Sequence, residues 1–315
     1  MKTKKYGADK DELNLIKLAQ EYADEDKARH LLETLRWPNG VKCPHCQFNE
    51  VYRLTQKAGS KSPARKGLFS CAACRKQFSV TVGTVFEGSH IPISKWLMAM
   101  FIICSSKKSI SANQLHRMLD ITYKSAWFMA HRIRYAMGGN PIKPLKGTVE
   151  VDETFIGGKG DNRMKNIRQT PVVALIERGG NMQARVISTV SQHNLGKCLN
   201  ECVSKEAIVN TDDHPSYKNP LKAYKRHEVV NHSRKEYTRR NPDGTTAGVN
   251  YCESFFSLLK RGVVGAWHHV SREHLPKYAD EFSFRWNTRY DTDGERMTKF
   301  APMIEGKRLT YRQAA

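Results

Sequence analysis

The stretch Thr148-Val149-Glu150-Val151-Asp152-Glu153-Thr154-Phe155-Ile156 decides how the chain is read. Its β-branched and aromatic residues predict a strand, with turn residues close behind in Gly157-Gly158-Lys159-Gly160. The two-residue period of a strand puts Glu150 and Asp152 on one face and Glu153 on the other. Asp152 and Glu153 therefore cannot serve one site together. The glycine-rich turn is no phosphate loop, because that motif needs Ser or Thr after the Lys and an earlier Gly where Glu153 stands.

Working outward, further strands are predicted over residues 171–177, 184–190 and 207–211, with Arg178-Gly179-Gly180-Asn181 as a turn. A helix is predicted over residues 195–204, and two stronger helical patterns cover 248–264 and 271–288. This order of elements is that of an α/β domain, placed at residues 145–290.

Two more carboxylates stand out against that frame. Asp212 follows the strand Ala207-Ile208-Val209-Asn210-Thr211, and Glu253 opens the helix Glu253-Ser254-Phe255-Phe256-Ser257-Leu258-Leu259-Lys260. Carboxylates at strand ends and on a nearby helix can converge on two Mg²⁺ or Mn²⁺ ions ~4 Å apart. Such hard cations take oxygen ligands, which accounts for Asp and Glu rather than Cys. Glu253 and Lys260 are two turns apart, so ~20° separates them around the axis. Phe255, Leu258 and Leu259 lie roughly opposite, which leaves Glu253 and Lys260 together on another face. An ordinary amphipathic helix has the same spacing. Spacing also does not choose between Asp152 and Glu153, or between Asp212 and Asp213.

Upstream, residues 1–40 read as two short helices ended by Trp37-Pro38-Asn39-Gly40. A cysteine module occupies residues 41–90. Cys43-Pro44-His45-Cys46 and Cys71-Ala72-Ala73-Cys74 can place four thiolates around one tetrahedral, structural zinc ion, with His45 as an alternative ligand. The other four of the eight cysteines are scattered and read as buried thiols. Residues 59–67, with Lys61, Arg65 and Lys66, look like a basic loop. In the region 91–140, residues 93–138 read as three helices, of which the last two resemble a helix-turn-helix. Leu115, Met118 and Leu119 are the expected buried face of the first, Asp120-Ile121-Thr122 the turn. The second is expected to bury Ala126, Met129 and Ile133 while presenting Lys124, His131, Arg132 and Arg134 to a DNA groove. An ordinary helical hairpin with a solvated charged face has the same pattern. Residues 291–315 are read as a C-terminal tail.

The net charge is +21 over 315 residues, and residues 1–40 contribute nothing to the excess. So large an imbalance points to a polyanion, with nucleic acid ahead of an anionic membrane surface. Lys218, Lys222, Lys225, Arg226, Arg234, Lys235, Arg239 and Arg240 cluster between the second and third carboxylates, opposed by Glu228 and Glu236 alone. The longest apolar run, residues 96–104, is about half of the ~18 residues a membrane span needs. The charged beginning lacks the apolar stretch of a secretory signal, so a cytoplasmic, nucleoid-associated protein is expected.

Several of these stretches resemble those of one family. Leu35-Arg36-Trp37-Pro38-Asn39-Gly40 leading into the cysteine pairs, the stretch from Val149 through Gly158, and Thr211-Asp212 all take part. The most specific part is Glu253-Ser254-Phe255-Phe256-Ser257-Leu258-Leu259-Lys260-Arg261-Gly262, with His268-His269-Val270-Ser271, His274-Leu275 and Glu281-Phe282-Ser283-Phe284-Arg285-Trp286-Asn287 behind it. The chain resembles the insertion-sequence transposases that carry a zinc ribbon ahead of a DDE domain (the IS1595 group). The resemblance implies a ribonuclease-H-like catalytic domain and Mg²⁺-dependent transposition. It assigns the triad to Asp152, Asp212 and Glu253, and a supporting role to Lys260. Phe256 stands where the family often has Trp. The expected partner is double-stranded DNA, both element ends and target, held by at least a dimer. Lys124, Arg132, Arg134, Arg234, Lys235 and Arg261 are the expected DNA contacts. A non-catalytic DNA-binding regulator and a nuclease that cuts without joining are the competing readings.

Overall fold

The structure, a computed structural model, describes residues 12–55, 66–139, 143–157 and 169–314. Most of the basic loop at 59–67, most of the Gly157–Gly160 turn and residues 140–142 of the linker lie outside the described residues. In chain order the elements are α1 (Leu15–Glu21), α2 (Glu25–Arg36), β1 (Val51–Arg53), β2 (Leu68–Cys71), β3 (Gln77–Ser79), α3 (Ile93–Ser105), α4 (Ala112–Leu119) and α5 (Tyr123–Met137). There follow β4 (Thr148–Ile156), β5 (Thr170–Glu177), β6 (Met182–Val186), α6 (Gln192–Cys202), β7 (Ile208–Thr211), β8 (Arg226–Val229), β9 (Thr238–Arg240) and β10 (Thr246–Gly248). The chain ends with α7 (Asn250–Gly262), α8 (Leu275–Asn287), α9 (Asp293–Phe300) and α10 (Tyr311–Ala314). These elements form two compact units, one from Met1–Gly139 with Tyr290–Ala315, the other Asn140–Arg289.

The second unit is built on a five-stranded mixed sheet in the order β6-β5-β4-β7-β8. β4 pairs antiparallel with β5 and parallel with β7, so the acidic strand is the central one. β5 is buried along almost its whole length, which matches its near-continuous apolar run. Alternation along β4 and β5 divides the core in two. Ile156, Val172, Ala174 and Ile176 pack under Cys252, Phe255, Phe256 and Leu259 of α7 and Ala279, Phe282 and Trp286 of α8. Val149, Val151, Val173 and Leu175 pack under Leu195, Leu199 and Cys202 of α6.

One early strand end and one unexpected strand stand out against the sequence expectation. β6 ends at Val186 because Ser191 caps α6, its hydroxyl accepting the Asn194 N–H at 3.3 Å, while the Asn194 side chain holds the Thr189 carbonyl at 2.9 Å. β8 was not expected, because Arg-His-Glu-Val at a sheet edge is half-buried throughout and carries no apolar alternation.

In the first unit α3 is the most deeply buried helix, with Trp96, Leu97, Ala99, Met100, Ile103 and Cys104 all enclosed. Its N-cap is Pro92, which offers no side-chain acceptor, so the Glu25 carboxylate of α2 takes the free N–H groups of Ile93 (2.7 Å) and Ser94 (3.3 Å). The last residues, expected only as a tail, join this unit. Thr292 and Glu295 form a capping box that starts α9, and Met297 and Phe300 are fully buried.

At the open edge of the second unit, Asn287 pairs with the backbone of β6 as a strand would. It accepts the Met182 N–H at 2.8 Å and donates to the Met182 carbonyl at 3.1 Å. Asn287→Ala is expected to destabilise the protein by roughly 1–3 kcal/mol, since two edge groups lose their partners. Urea unfolding followed by circular dichroism measures this; an unchanged midpoint would show the pair to be ornamental.

Candidate functional site

Strand register brings the first two carboxylates together. β4 and β7 run parallel with Thr148 opposite Ile208, Val149 opposite Val209 and Glu150 opposite Asn210. Two residues further on stand Asp152 and Asp212, past the ends of the paired stretch, on strands ~4.8 Å apart. Asp152 faces the α7 side of the sheet, because its antiparallel partner Ala174 belongs to that half of the core. The Cys252 thiol donates to the Ala174 carbonyl at 3.7 Å, which sets the first turn of α7, and Glu253 with it, over the same place.

The charges register this proximity. The Asp152 carboxyl is pushed from 3.8 up to about 7, first by burial, then by the negative charge of Asp212, with Glu153 and Glu253 adding smaller contributions against the Glu153 N–H. Glu253 and Lys260 are both exposed on α7. Glu153 lies on the other face and receives the Tyr217 hydroxyl. Asp212 accepts the N–H of His214 at 3.1 Å.

Two buried groups that the motifs did not single out complete the surroundings. Glu150, fully enclosed, accepts Arg178 Nε and the backbone N–H of Tyr251, each at 2.7 Å. Asn210 Nδ2 donates to the carbonyls of Thr246 (3.2 Å) and Gly248 (3.4 Å). Glu150 could have been suspected from its place on the face of Asp152. Arg178 carries no sequence signal, since it stands in what reads as a turn.

In the first unit the four sulfurs of Cys43, Cys46, Cys71 and Cys74 lie within 4.8 Å of one another, the single such donor group among the described residues. Cys43–Cys74 is 3.7 Å and Cys46–Cys71 is 3.6 Å. A tetrahedral zinc with Zn–S bonds of ~2.3 Å requires sulfur–sulfur edges of about 3.8 Å, so the four thiolates fit a structural zinc. The two knuckles are built alike. Gln47 and Arg75, each one residue past its second cysteine, adopt φ of 61° and 58°. Their N–H groups return to the carbonyls of Cys43 (2.8 Å) and Cys71 (3.0 Å). Trp37, Phe69 and Phe78 pack beside them with centroids 5.6–6.2 Å apart.

The helix pair α4–α5 has the expected turn. Ser111 caps α4, Asp120 ends it in the left-handed region, and Thr122 caps α5. Leu115, Leu119, Ala126, Met129 and Ile133 are buried as expected, whereas Met118 is half exposed. The basic face of α5 differs. His131, Arg132 and Arg134 are buried, because α5 is an interior helix and its cations are used within the unit. Arg132 donates to the Glu87 carbonyl at 2.5 Å, and Arg134 to Ser109 and Ile110 at 3.4 Å. The exposed residues of α5 are Tyr123 and Lys124 in its first turn and Tyr135, with the Lys124 ammonium 4.5 Å from the Tyr311 ring. In the basic cluster of the second unit, Arg226 and Arg239 are engaged by Glu228, Asp243 and Glu236, while Arg234 and Lys235 are exposed. Arg261 is exposed on α7. No helix among the described residues is long and apolar enough to cross a membrane.

A four-cysteine ribbon lies in one unit and neighbouring carboxylates on the sheet of the other, and both regions match known families. Residues 23–77 match the transposase zinc-ribbon domain and residues 144–287 the ISXO2-like transposase domain. A protein of Halobacterium salinarum, described as an uncharacterized protein in transposable element ISH50, is 30% identical over 285 residues, spanning 84% of this chain and 91% of its own. A chain of the simian T-cell lymphotropic virus intasome in complex with the PP2A regulatory subunit B56 gamma aligns over 54% of this chain and 67% of its own, at 13% identity and a TM-score of 0.27, too loose to bear on the fold. The chain belongs to the IS1595 transposases of insertion sequences, in which a zinc ribbon precedes the transposase domain.

Two expectations follow from these geometries. Cys71→Ser lowers bound zinc from one ion per chain to well below stoichiometric, measured by metal analysis of the purified protein. The raised Asp152 carboxyl also carries a sign. Between its ordinary value of 3.8 and about 7 the folded protein holds a proton that the unfolded chain releases. That stability is complete below 3.8 and is lost as pH rises through about 7. Asp152→Asn keeps the neutral form. In Mg²⁺-free buffer the variant should therefore melt above wild type near pH ~8, by about 2–4 °C per kcal/mol gained, and coincide with it near pH ~4. Parallel melting curves at both pH values would contradict the charge crowding.

Proposed function

We propose that this transposase binds the terminal repeats of its insertion sequence, hydrolyses a strand at each end and joins the freed 3′-hydroxyl to target DNA. The observation that carries the reading is the register that sets Asp152 of β4 beside Asp212, just past the end of the parallel strand β7, with the charge of Asp212 and, less, of Glu253 raising the Asp152 carboxyl. The mixed sheet with Asp152 on its central strand suits a ribonuclease-H-like fold.

The donor chemistry fits a pair of Mg²⁺ or Mn²⁺ ions. All three groups offer hard oxygens, and the Asp152 carboxyl lacks compensating positive charge. Ligands shared between two ions ~4 Å apart need not cluster as tightly as the zinc sulfurs do. When bound, such ions polarise the attacking water or hydroxyl and neutralise charge on the leaving oxygen of an in-line displacement. Asp152 and Asp212 would hold the ions over the middle of the sheet, and Glu253 would add a carboxylate from α7. Glu253 is exposed, so a long duplex can reach it. Lys260, two turns along the same helix, takes a neighbouring phosphate.

Lys124 in the helix-turn-helix and Arg234, Lys235 and Arg261 in the catalytic unit contact the DNA backbone. Arg132 and Arg134 leave this set, because their charges are spent inside the first unit. Both ends of the element must be held at once, so the working form is at least a dimer on DNA.

The test uses DNA carrying the ends that flank this gene, with Mg²⁺ or Mn²⁺. Wild type should nick the ends and join them to a target duplex. Asp152→Ala should bind the same DNA with comparable affinity while cleavage and joining fall by at least ~10³-fold, as expected when a metal ligand of a phosphoryl transfer is lost. Binding without cutting by both proteins would instead mark a DNA-binding regulator.

A further inference from the structure

Asp152 is flanked on β4 by two glutamates of opposite orientation, and each is tied to an element bearing another member of the triad. Glu150 points to the α7 side. Its Oε2 accepts the N–H of Tyr251, second residue of α7, whose N-cap Val249 supplies no side-chain acceptor. A carboxylate from the sheet thus caps the helix that carries Glu253, where the helix dipole favours it. The other oxygen holds Arg178, whose guanidinium reaches back to the carbonyls of Thr246 (2.5 Å) and Gly248 (3.3 Å) just ahead of the helix. Asn210, two residues before Asp212, grips the same two carbonyls.

Glu153 points to the opposite face and receives the hydroxyl of Tyr217, which is almost wholly buried. Tyr217 closes the turn that begins at Asp212. The Asp212 carboxylate accepts the His214 N–H at 3.1 Å, and the His214 carbonyl accepts the Tyr217 N–H at 3.2 Å.

We infer that Glu150 and Glu153 are positioning residues, Glu150 fixing Glu253 through the start of α7 and Glu153 fixing Asp212 through Tyr217, so that β4 registers the whole triad; this rests on the triad being the metal site. A buried ion pair such as Glu150–Arg178 is a poor source of stability, since apolar residues of similar volume often do as well. Its geometric yield is different: it defines where α7 begins relative to Asp152. Glu153 acts through Tyr217 and is not itself a ligand.

The experiment measures Mn²⁺ affinity of the full-length, zinc-loaded protein by electron paramagnetic resonance of free Mn²⁺, beside melting temperature, DNA affinity and strand cleavage. Tyr217→Phe removes only the hydroxyl. The double variant Glu150→Met/Arg178→Met replaces the ion pair without leaving a lone charge. If that double variant does not fold, the nearly isosteric Glu150→Gln takes its place. Each should stay folded and bind DNA while Mn²⁺ affinity falls about 10–100-fold, the usual cost of losing a group that orients a metal ligand. Glu153→Gln, which still accepts from Tyr217, should lose less affinity than Glu153→Ala. Folded variants that bind Mn²⁺ as wild type does would overturn the inference, as would equal losses in Glu153→Gln and Glu153→Ala, the mark of a direct ligand. A wild type that binds Mn²⁺ no better than Asp152→Ala would sink the metal site itself and the positioning with it, a failure visible before any flanking variant is compared.

Discussion

The constraint on which the second unit depends is the placing of acidic side chains on the central strand of a buried sheet. A carboxylate removed from water seeks a partner or a proton. β4 meets this demand three ways within four residues. Glu150 has Arg178 and a helix N-terminus, Glu153 has a tyrosine hydroxyl, and Asp152 has only the N–H of Glu153 and other acids around it. The group left least compensated is the one that the parallel register sets beside Asp212. Along β4, negative charge is thus met by partners at Glu150 and Glu153 and left without a cationic one at Asp152.

The zinc ribbon and the carboxylates of the second unit differ in donor type. The ribbon closes four soft sulfurs into a tetrahedral set with no open position, which suits a structural ion. The carboxylates remain open on at least one side, since Glu253 is exposed. Four thiolates favour zinc strongly over magnesium, which takes oxygen ligands.

Much of the fold was legible. β4 runs over the nine residues expected, because its pattern is strand-like and bounded by turns, and α7 and α8 follow their apolar periodicity to within a few residues. β8 was illegible, since a short polar edge strand owes its existence to β7 and not to its own residues. The face of α5 was misjudged for a related reason. Arginine reads as solvent-seeking, yet the Arg132 guanidinium lies against the Trp96 and Phe128 rings and donates to the Glu87 carbonyl. At the site, spacing left Asp152 and Glu153 as equals. Their difference lies in which face of the sheet meets α7, a tertiary fact no local pattern carries.

The first unit is interrupted: the chain leaves it after residue 139 and returns at residue 290 to add α9, whose Met297 and Phe300 fill its interior. During synthesis the catalytic unit emerges whole while the ribbon and helix-turn-helix still await their last piece. The first unit can therefore close only after the second has been synthesised. A chain cut after residue 289 would keep Asp152, Asp212 and Glu253 and yet lack the α9 residues that fill the interior of the first unit.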